Sequence, residues 1–212
     1  MKNTLIAVMS ACFVMLVASC QGGSQEKAVS TPSVNNGNAV IETIMTRRSI
    51  RKYKPQKVGR DTVETIVRCG IYAPNAMNKQ EWEIRVVDNK ADISRLTEIY
   101  KRYNEKAAKD PSMVTMFRNA WTVVFVAKTG GSDINVGLLG ENMALAAWSM
   151  GVGSCFLGGP IEFLTRTEEV RPFIDKLELP EDAELVYCLA LGYPDESPEA
   201  KPRDADKIRF IE

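Results

Sequence analysis

Residues 47–53 read Arg47-Arg48-Ser49-Ile50-Arg51-Lys52-Tyr53 and follow a segment whose apolar residues Val40, Ile41, Ile44 and Met45 fall at helical spacing. Arg47, Arg48, Ser49 and Arg51 place three guanidiniums and a hydroxyl within five residues. Guanidinium forks make bidentate, charge-assisted bonds to phosphate oxygens and serine adds a donor, so the cluster suits a phosphate monoester. The same charges also suit a solvated helix end favoured by the helix dipole. The rest of the chain has to decide between the two.

The 212 residues are 45% hydrophobic and 25% charged, ordinary composition for one domain or two small ones. Lysine plus arginine equals aspartate plus glutamate at 27 each, which gives no whole-protein electrostatic case for nucleic acid or an anionic membrane. There is no histidine. Ser-His-Asp and Cys-His catalysis, a histidine general base and a histidine-ligated metal are excluded. Cys69, Cys155 and Cys188 lie far apart without a CxxC pair, so neither a metal site nor a disulfide framework is expected, and all three read as small buried hydrophobes.

Apolar periodicity outlines the elements. Asp61 with Glu64 reads as a capping box opening a helix with Val63, Ile66, Val67 and Ile71 on one face, ended by Pro74. Asp92 reads as the cap of a second helix, and Thr165 with Glu168 as the start of another running to Leu177. Strands are expected over 83–87, 122–127, 153–157 and 185–191, with strand character again at 208–211. Residues 133–150 form a long helix that is apolar around much of its circumference. It is therefore central to the core or packed on another subunit. Strands alternating with helices, without repeats, give one α/β domain over 39–212.

Three further segments could carry chemistry. Ala73–Trp82 (APNAMNKQEW) offers the amides of Asn75, Asn78 and Gln80 to a heterocycle edge, or makes a plain turn. Gly151–Pro160 (GVGSCFLGGP) lets backbone N–H groups approach a ligand, or caps a helix and turns; it is not a GxGxxG after a strand. Lys201-Pro202-Arg203 adds cations near the C-terminus.

In this order and spacing, the four segments resemble the nitroreductase family of FMN-dependent oxidoreductases. RRSIRKY resembles the family's N-terminal phosphate-binding signature, APNAMNKQEW its PSxxNxQPW turn, Asn142–Cys155 its central helix and exit, and KPR its C-terminal cationic site. Glu81 stands where the family has proline and Asn75 where it has serine. The helical insertion of larger members is missing from the short, charged stretch between Val87 and Thr122, where Tyr103 or Asn104 is the candidate for the ring-edge contact.

The resemblance implies an α+β fold with a mainly antiparallel sheet between helices, in an intertwined homodimer built on the 133–150 helix. It implies FMN at the interface. Arg47, Arg48 and Ser49 would hold the phosphate with Lys201 and Arg203, and Arg51 would lie near the N1/O2 side of the ring. Pro74, Asn75, Ala76 and Asn78 would come from the partner, and Leu157, Gly158 and Gly159 would offer backbone N–H groups near N5. No side chain need act as acid or base. The implied reaction is ping-pong transfer from NAD(P)H to a nitroaromatic, quinone or similar acceptor. The other reading is a lipoprotein that binds a flavin or heterocycle without turnover.

The chain opens with Lys2 and an apolar run, Leu5–Val17, ending in Val17-Ala18-Ser19-Cys20. The run has signal-peptide length and is short for a span. The ending resembles a bacterial lipoprotein signal, with cleavage before Cys20 and lipid on its thiol; an ordinary secretory signal with an incidental cysteine is the alternative. Residues 1–19 are thus expected to be a signal and 20–38, rich in Gly, Ser, Asn and Gln, a flexible tether. Gln21 rather than aspartate after the cysteine favours an outer-membrane address in the cell envelope. Nicotinamides are scarce there, which leaves the electron donor open.

Overall fold

A computed structural model describes residues 37–212. The signal, the lipidation site at Cys20 and nearly all of the expected tether lie outside the described residues.

The elements run α1 (Ala39–Thr46), α2 (Arg60–Ile71), β1 (Trp82–Val87), α3 (Lys90–Tyr103), α4 (Glu105–Ala108), β2 (Thr122–Lys128), α5 (Asp133–Ser149), β3 (Gly153–Leu157), α6 (Gly159–Arg166), α7 (Arg171–Lys176) and β4 (Glu184–Gly192). The sheet has four strands in the order β1-β2-β4-β3, and every pairing is antiparallel. The architecture is α+β, as the resemblance implies. Strands and helices alternate along the chain, but α3 with α4 and α6 with α7 each connect antiparallel neighbours, while α5 carries the chain from β2 to β3 on the other side of β4.

The sheet is covered on both faces. Val123, Phe125, Cys155, Leu157, Cys188 and Ala190 pack with Ile93 and Leu96 of α3 and Ile161 and Leu164 of α6. Val124, Val126, Leu189 and Leu191 pack with Val63 and Ile66 of α2 and Val136, Leu139, Met143 and Ala147 of α5. This two-sided burial explains the unbroken apolar run of β2. At Gly70 a Cβ would lie 2.6 Å from Met143 Cγ, so glycine lets α2 and α5 approach closely.

Three helix starts differ from expectation. Gly59 precedes α2 and Asp61 sits inside its first turn. Asn89 caps α3, its side chain accepting from the backbone of Ala91 and Asp92. Thr165 lies in the last turn of α6, where its hydroxyl donates to the Ile161 carbonyl at 2.9 Å, and α7 begins separately at Arg171. Cys69 is exposed, unlike buried Cys155 and Cys188. No strand forms over 208–211. A strand needs a neighbour to complete its hydrogen bonds, and the tail pairs with neither β1 nor β3.

Candidate functional site

The basic segment is a strap, not a helix end. α1 stops at Thr46, and residues 49–53 run extended along the β3 edge and the residues after β4. Ser49 bridges Ser154 and Tyr53 bridges Pro194. Ile50 N–H donates to the Ser154 carbonyl, and Lys54 N–H to the Tyr193 carbonyl, both at 2.9 Å. Ile50 and Tyr53 turn inward and are buried, while Arg51 and Lys52 are left outside. Glu196 secures the strap: its carboxylate accepts from the backbone N–H of Arg51 and, at 3.2 Å, of Lys52. Tyr53 donates its hydroxyl to the Ile50 carbonyl at 2.6 Å, and burial holds its pKa far above the ordinary phenol value.

The stretch Gly151–Pro160 divides by task. Gly151, at φ 71°, closes α5, with its N–H donating to the Trp148 carbonyl at 3.0 Å. Gly158 and Gly159 differ: neither has positive φ, and a Cβ on either would meet nothing within 4 Å. No protein neighbour and no backbone strain requires them. They open α6 onto a cleft of about 860 Å³ lined by Arg51, Lys52, Tyr100, Arg118, Asn119 and Leu157 among others. That volume falls within the roughly 300–1,000 Å³ of small-molecule sites.

Arg51, Leu157, Gly158 and Gly159 therefore meet at one cleft. Arg47 and Arg48 do not line it. The Arg47 guanidinium lies 3.7 Å from Glu141 on α5, and Arg48 donates to the Met45 and Arg47 carbonyls at 2.8 Å each. Lys201 and Arg203 are exposed, and among the described residues Arg203 bonds only the Lys201 carbonyl, at 3.0 Å. Among the described residues, no hydrogen bond or ion pair joins them to the strap.

The 73–82 segment is a strained turn away from this cleft. Met77, Asn78 and Gln80 have φ near +54°, +53° and +53°. Asn75 holds the turn, its side-chain oxygen accepting from Gln80 N–H at 2.9 Å and its amide donating to the Ala73 carbonyl at 3.2 Å. Pro74, Ala76 and Asn78 are exposed. Glu81 points to the β2–α5 loop: a Cβ on Gly131 would lie 2.5 Å from its carboxylate.

The sequence reading did not pick out Tyr100, Arg118, Asn119 or Glu196. Tyr103 and Asn104 do not line the cleft; the Asn104 amide instead caps α4 and donates to the Tyr100 hydroxyl at 3.0 Å. Asn119 carried one usable signal, as asparagine tolerates the left-handed backbone. Burial raises the pKa of the Cys155 thiol, with Arg51 and Arg118 pulling the other way.

Residues 44–193 match the sequence profile of the Nitroreductase family. The chain is 29% identical over 174 residues to the NADPH-flavin oxidoreductase of Vibrio harveyi, covering 78% of this chain and 70% of the relative. Among solved structures, the FMN-bound nitroreductase from Bacteroides fragilis is 27% identical with TM-score 0.70, covering 82% of this chain and 100% of its own. The FMN-bound nitroreductase from Desulfitobacterium hafniense shares the fold, with TM-score 0.71 at 24% identity and coverage of 82% and 99%. A profile match across most of the chain, on an antiparallel α+β fold with a glycine-lined cleft, establishes that the chain belongs to the nitroreductase family.

Proposed function

We propose that this protein is an FMN-dependent oxidoreductase carrying reducing equivalents from a reductant, NAD(P)H by analogy with its relatives, to a nitroaromatic, quinone or similar acceptor in a ping-pong cycle. The observation that carries the reading is the Gly158-Gly159 pair, open to the cleft with no neighbour within 4 Å of either Cβ position and Arg51 in the same lining. Such a cradle admits a flat ring close to the backbone. When bound, the flavin supplies the redox chemistry, which fits a chain without histidine.

The chain's own residues bind and orient. Arg51 supplies fixed positive charge at the ring, and Leu157, Gly158 and Gly159 offer backbone N–H groups. Arg47, Arg48 and Ser49 with Lys201 and Arg203 would hold the phosphate. Pro74, Asn75, Ala76 and Asn78 would complete the site from a second copy, making the working unit a homodimer. Exposed apolar residues support that assembly: Ile44 and Met45 on α1, Ile134 on α5, and Phe210 and Ile211 of the tail, the last two about nine-tenths exposed at 90% and 91%. A lipid on Cys20 would tether the dimer to the cell envelope, with the outer membrane favoured by Gln21. A quinol or redox protein there could replace NAD(P)H as donor.

The test is the absorption spectrum of purified protein beginning near residue 39, before and after anaerobic NADH, NADPH or dithionite. A flavin spectrum bleached by a nicotinamide supports the oxidoreductase. A flavin bleached by dithionite, whose electrons no acceptor takes, supports the non-catalytic binding lipoprotein instead. A colourless protein that takes up no FMN overturns both.

A further inference from the structure

We propose that Arg118 is a specificity-determining residue that selects substrates bearing a carboxylate or phosphate, by pairing with that anionic group in the cleft shared by Arg51 and Gly158. The inference rests on the flavin reading of the same cleft.

Arg118 and Asn119 are consecutive non-glycine residues in the left-handed region, with φ 57° and 67°. That conformation crowds the Cβ and costs free energy for either residue. For Asn119 the surroundings account for it. Its side-chain oxygen accepts from Val114 N–H at 2.8 Å and Thr115 N–H at 3.0 Å, and its amide donates to the Ser112 carbonyl at 2.9 Å. Thr97 and Thr115 brace the same loop through Met116 N–H at 3.1 Å and the Ala120 carbonyl at 3.1 Å. Thr115, Met116, Phe117 and Ala120 are buried, and Arg118 is the exposed member of the run. A loop pinned at so many points holds Arg118 in a strained backbone, and strain maintained by its surroundings is a mark of function.

The guanidinium has no hydrogen bond or ion pair among the described residues. The lining carries the cations Arg51, Lys52 and Arg118 and the acids Asp110, Glu162 and Asp195. Among the described residues none of these acids pairs with Arg118: Glu162 pairs with Arg166 at 2.7 Å, and Asp110 accepts from Ser112 at 2.6 Å. The guanidinium left without a partner is what an anion would meet, and its planar fork is suited to a carboxylate or phosphate.

The anionic group could belong to the acceptor or to the donor, and matched substrate pairs separate the two. On flavin-loaded protein, kcat/KM is measured for 4-nitrobenzoate against 4-nitrobenzyl alcohol, and for NADPH against NADH. Parent, Arg118→Gln, Arg118→Lys and Arg118→Gly are compared. The ratio of the member bearing the added anionic group to the member lacking it should fall about 10- to 100-fold in one pair for the glutamine and glycine variants, and stay largely intact for lysine. The affected pair identifies the source. Arg118→Gly suits the native backbone and keeps the test informative if glutamine folds poorly. Ratios within about twofold of the parent in both pairs would overturn the proposal. So would equal losses for the two members of each pair, or loss of FMN from the variants, which would make Arg118 a cofactor residue. A parent that takes up no FMN overturns the flavin reading, and this inference with it.

Discussion

Ile50 occupies the space that a side chain on Gly153 would need: a Cβ there would lie 2.7 Å from Ile50 Cγ1 and 2.8 Å from its Cβ. The contact joins the strap to β3 next to the Ser49–Ser154 bridge, and it sets the height of Arg51 beside the cleft. Gly192 makes the equivalent accommodation for Tyr53, whose Cδ1 would stand 2.7 Å from an added Cβ.

Gly153→Ala should therefore push the strap off the sheet. Overpacking of this kind costs about 1–3 kcal/mol, and FMN retention should fall with stability because Arg51 moves. Gly159→Ala, with nothing within 4 Å of its added Cβ, should leave thermal stability unchanged and weaken only FMN binding. Thermal melts and flavin titrations of the two variants separate packing from site. Equal destabilisation by both would contradict the assignment of Gly159 to the cleft.

Arg118→Gly should raise stability while lowering the preference for the substrate that bears the added carboxylate or phosphate. Relief of a left-handed non-glycine residue is worth about 1–2 kcal/mol, and the lost chain entropy returns about 0.5–1. A net gain of about 0.5 kcal/mol raises Tm by roughly 1–2 °C. A lower Tm would show that the Arg118 side chain holds the loop together.

Arg47→Ala and Arg203→Ala should each weaken FMN binding about ten- to a hundredfold, since a charge-assisted bond contributes roughly 1.5–3 kcal/mol. Riboflavin, without the phosphate, should lose little. Among the described residues Arg47 pairs only with Glu141, at 3.7 Å and with side chains 22% and 48% exposed, so loss of the ion pair itself should cost less than about 1 kcal/mol. FMN affinities within about twofold of the parent in both variants would end the phosphate assignment.

Cys20→Ser should leave the precursor unprocessed or release the protein from membranes. Fractionation and intact mass report the outcome. Normal processing and membrane retention of that variant would remove the lipid anchor from the account.

The strands were legible because β2 and β4 are continuous apolar runs, and burial on both faces leaves no other use for such a run. Helix starts were less legible. Asp61 and Asp92 are acidic residues of a first turn, where the dipole favours them as much as a cap would, and Gly59 and Asn89 begin those helices earlier. Thr165 matches the capping pattern but bonds backward into α6. Within the cleft, Arg51 and the glycine pair were legible because motif order marks them. Arg118 lies in a loop whose shape comes from hydrogen bonds between Ser112, Thr115, Asn119 and Ala120, and no periodicity records that. Cys69 was misjudged because residue type says nothing about which side of α2 it occupies.

The strap also bears on the order in which the domain can be completed. The Glu196 carboxylate reaches the Lys52 N–H across 144 residues of chain, and Tyr53 finds its bridge only at Pro194. A nascent polypeptide emerging from the ribosome has Arg51 from an early stage but nothing to fasten it until the final strand and the residues beyond it have been made. Such distant pairings form slowly. The cofactor cleft is consequently among the last features to form, and the chain cannot close it until synthesis is nearly finished.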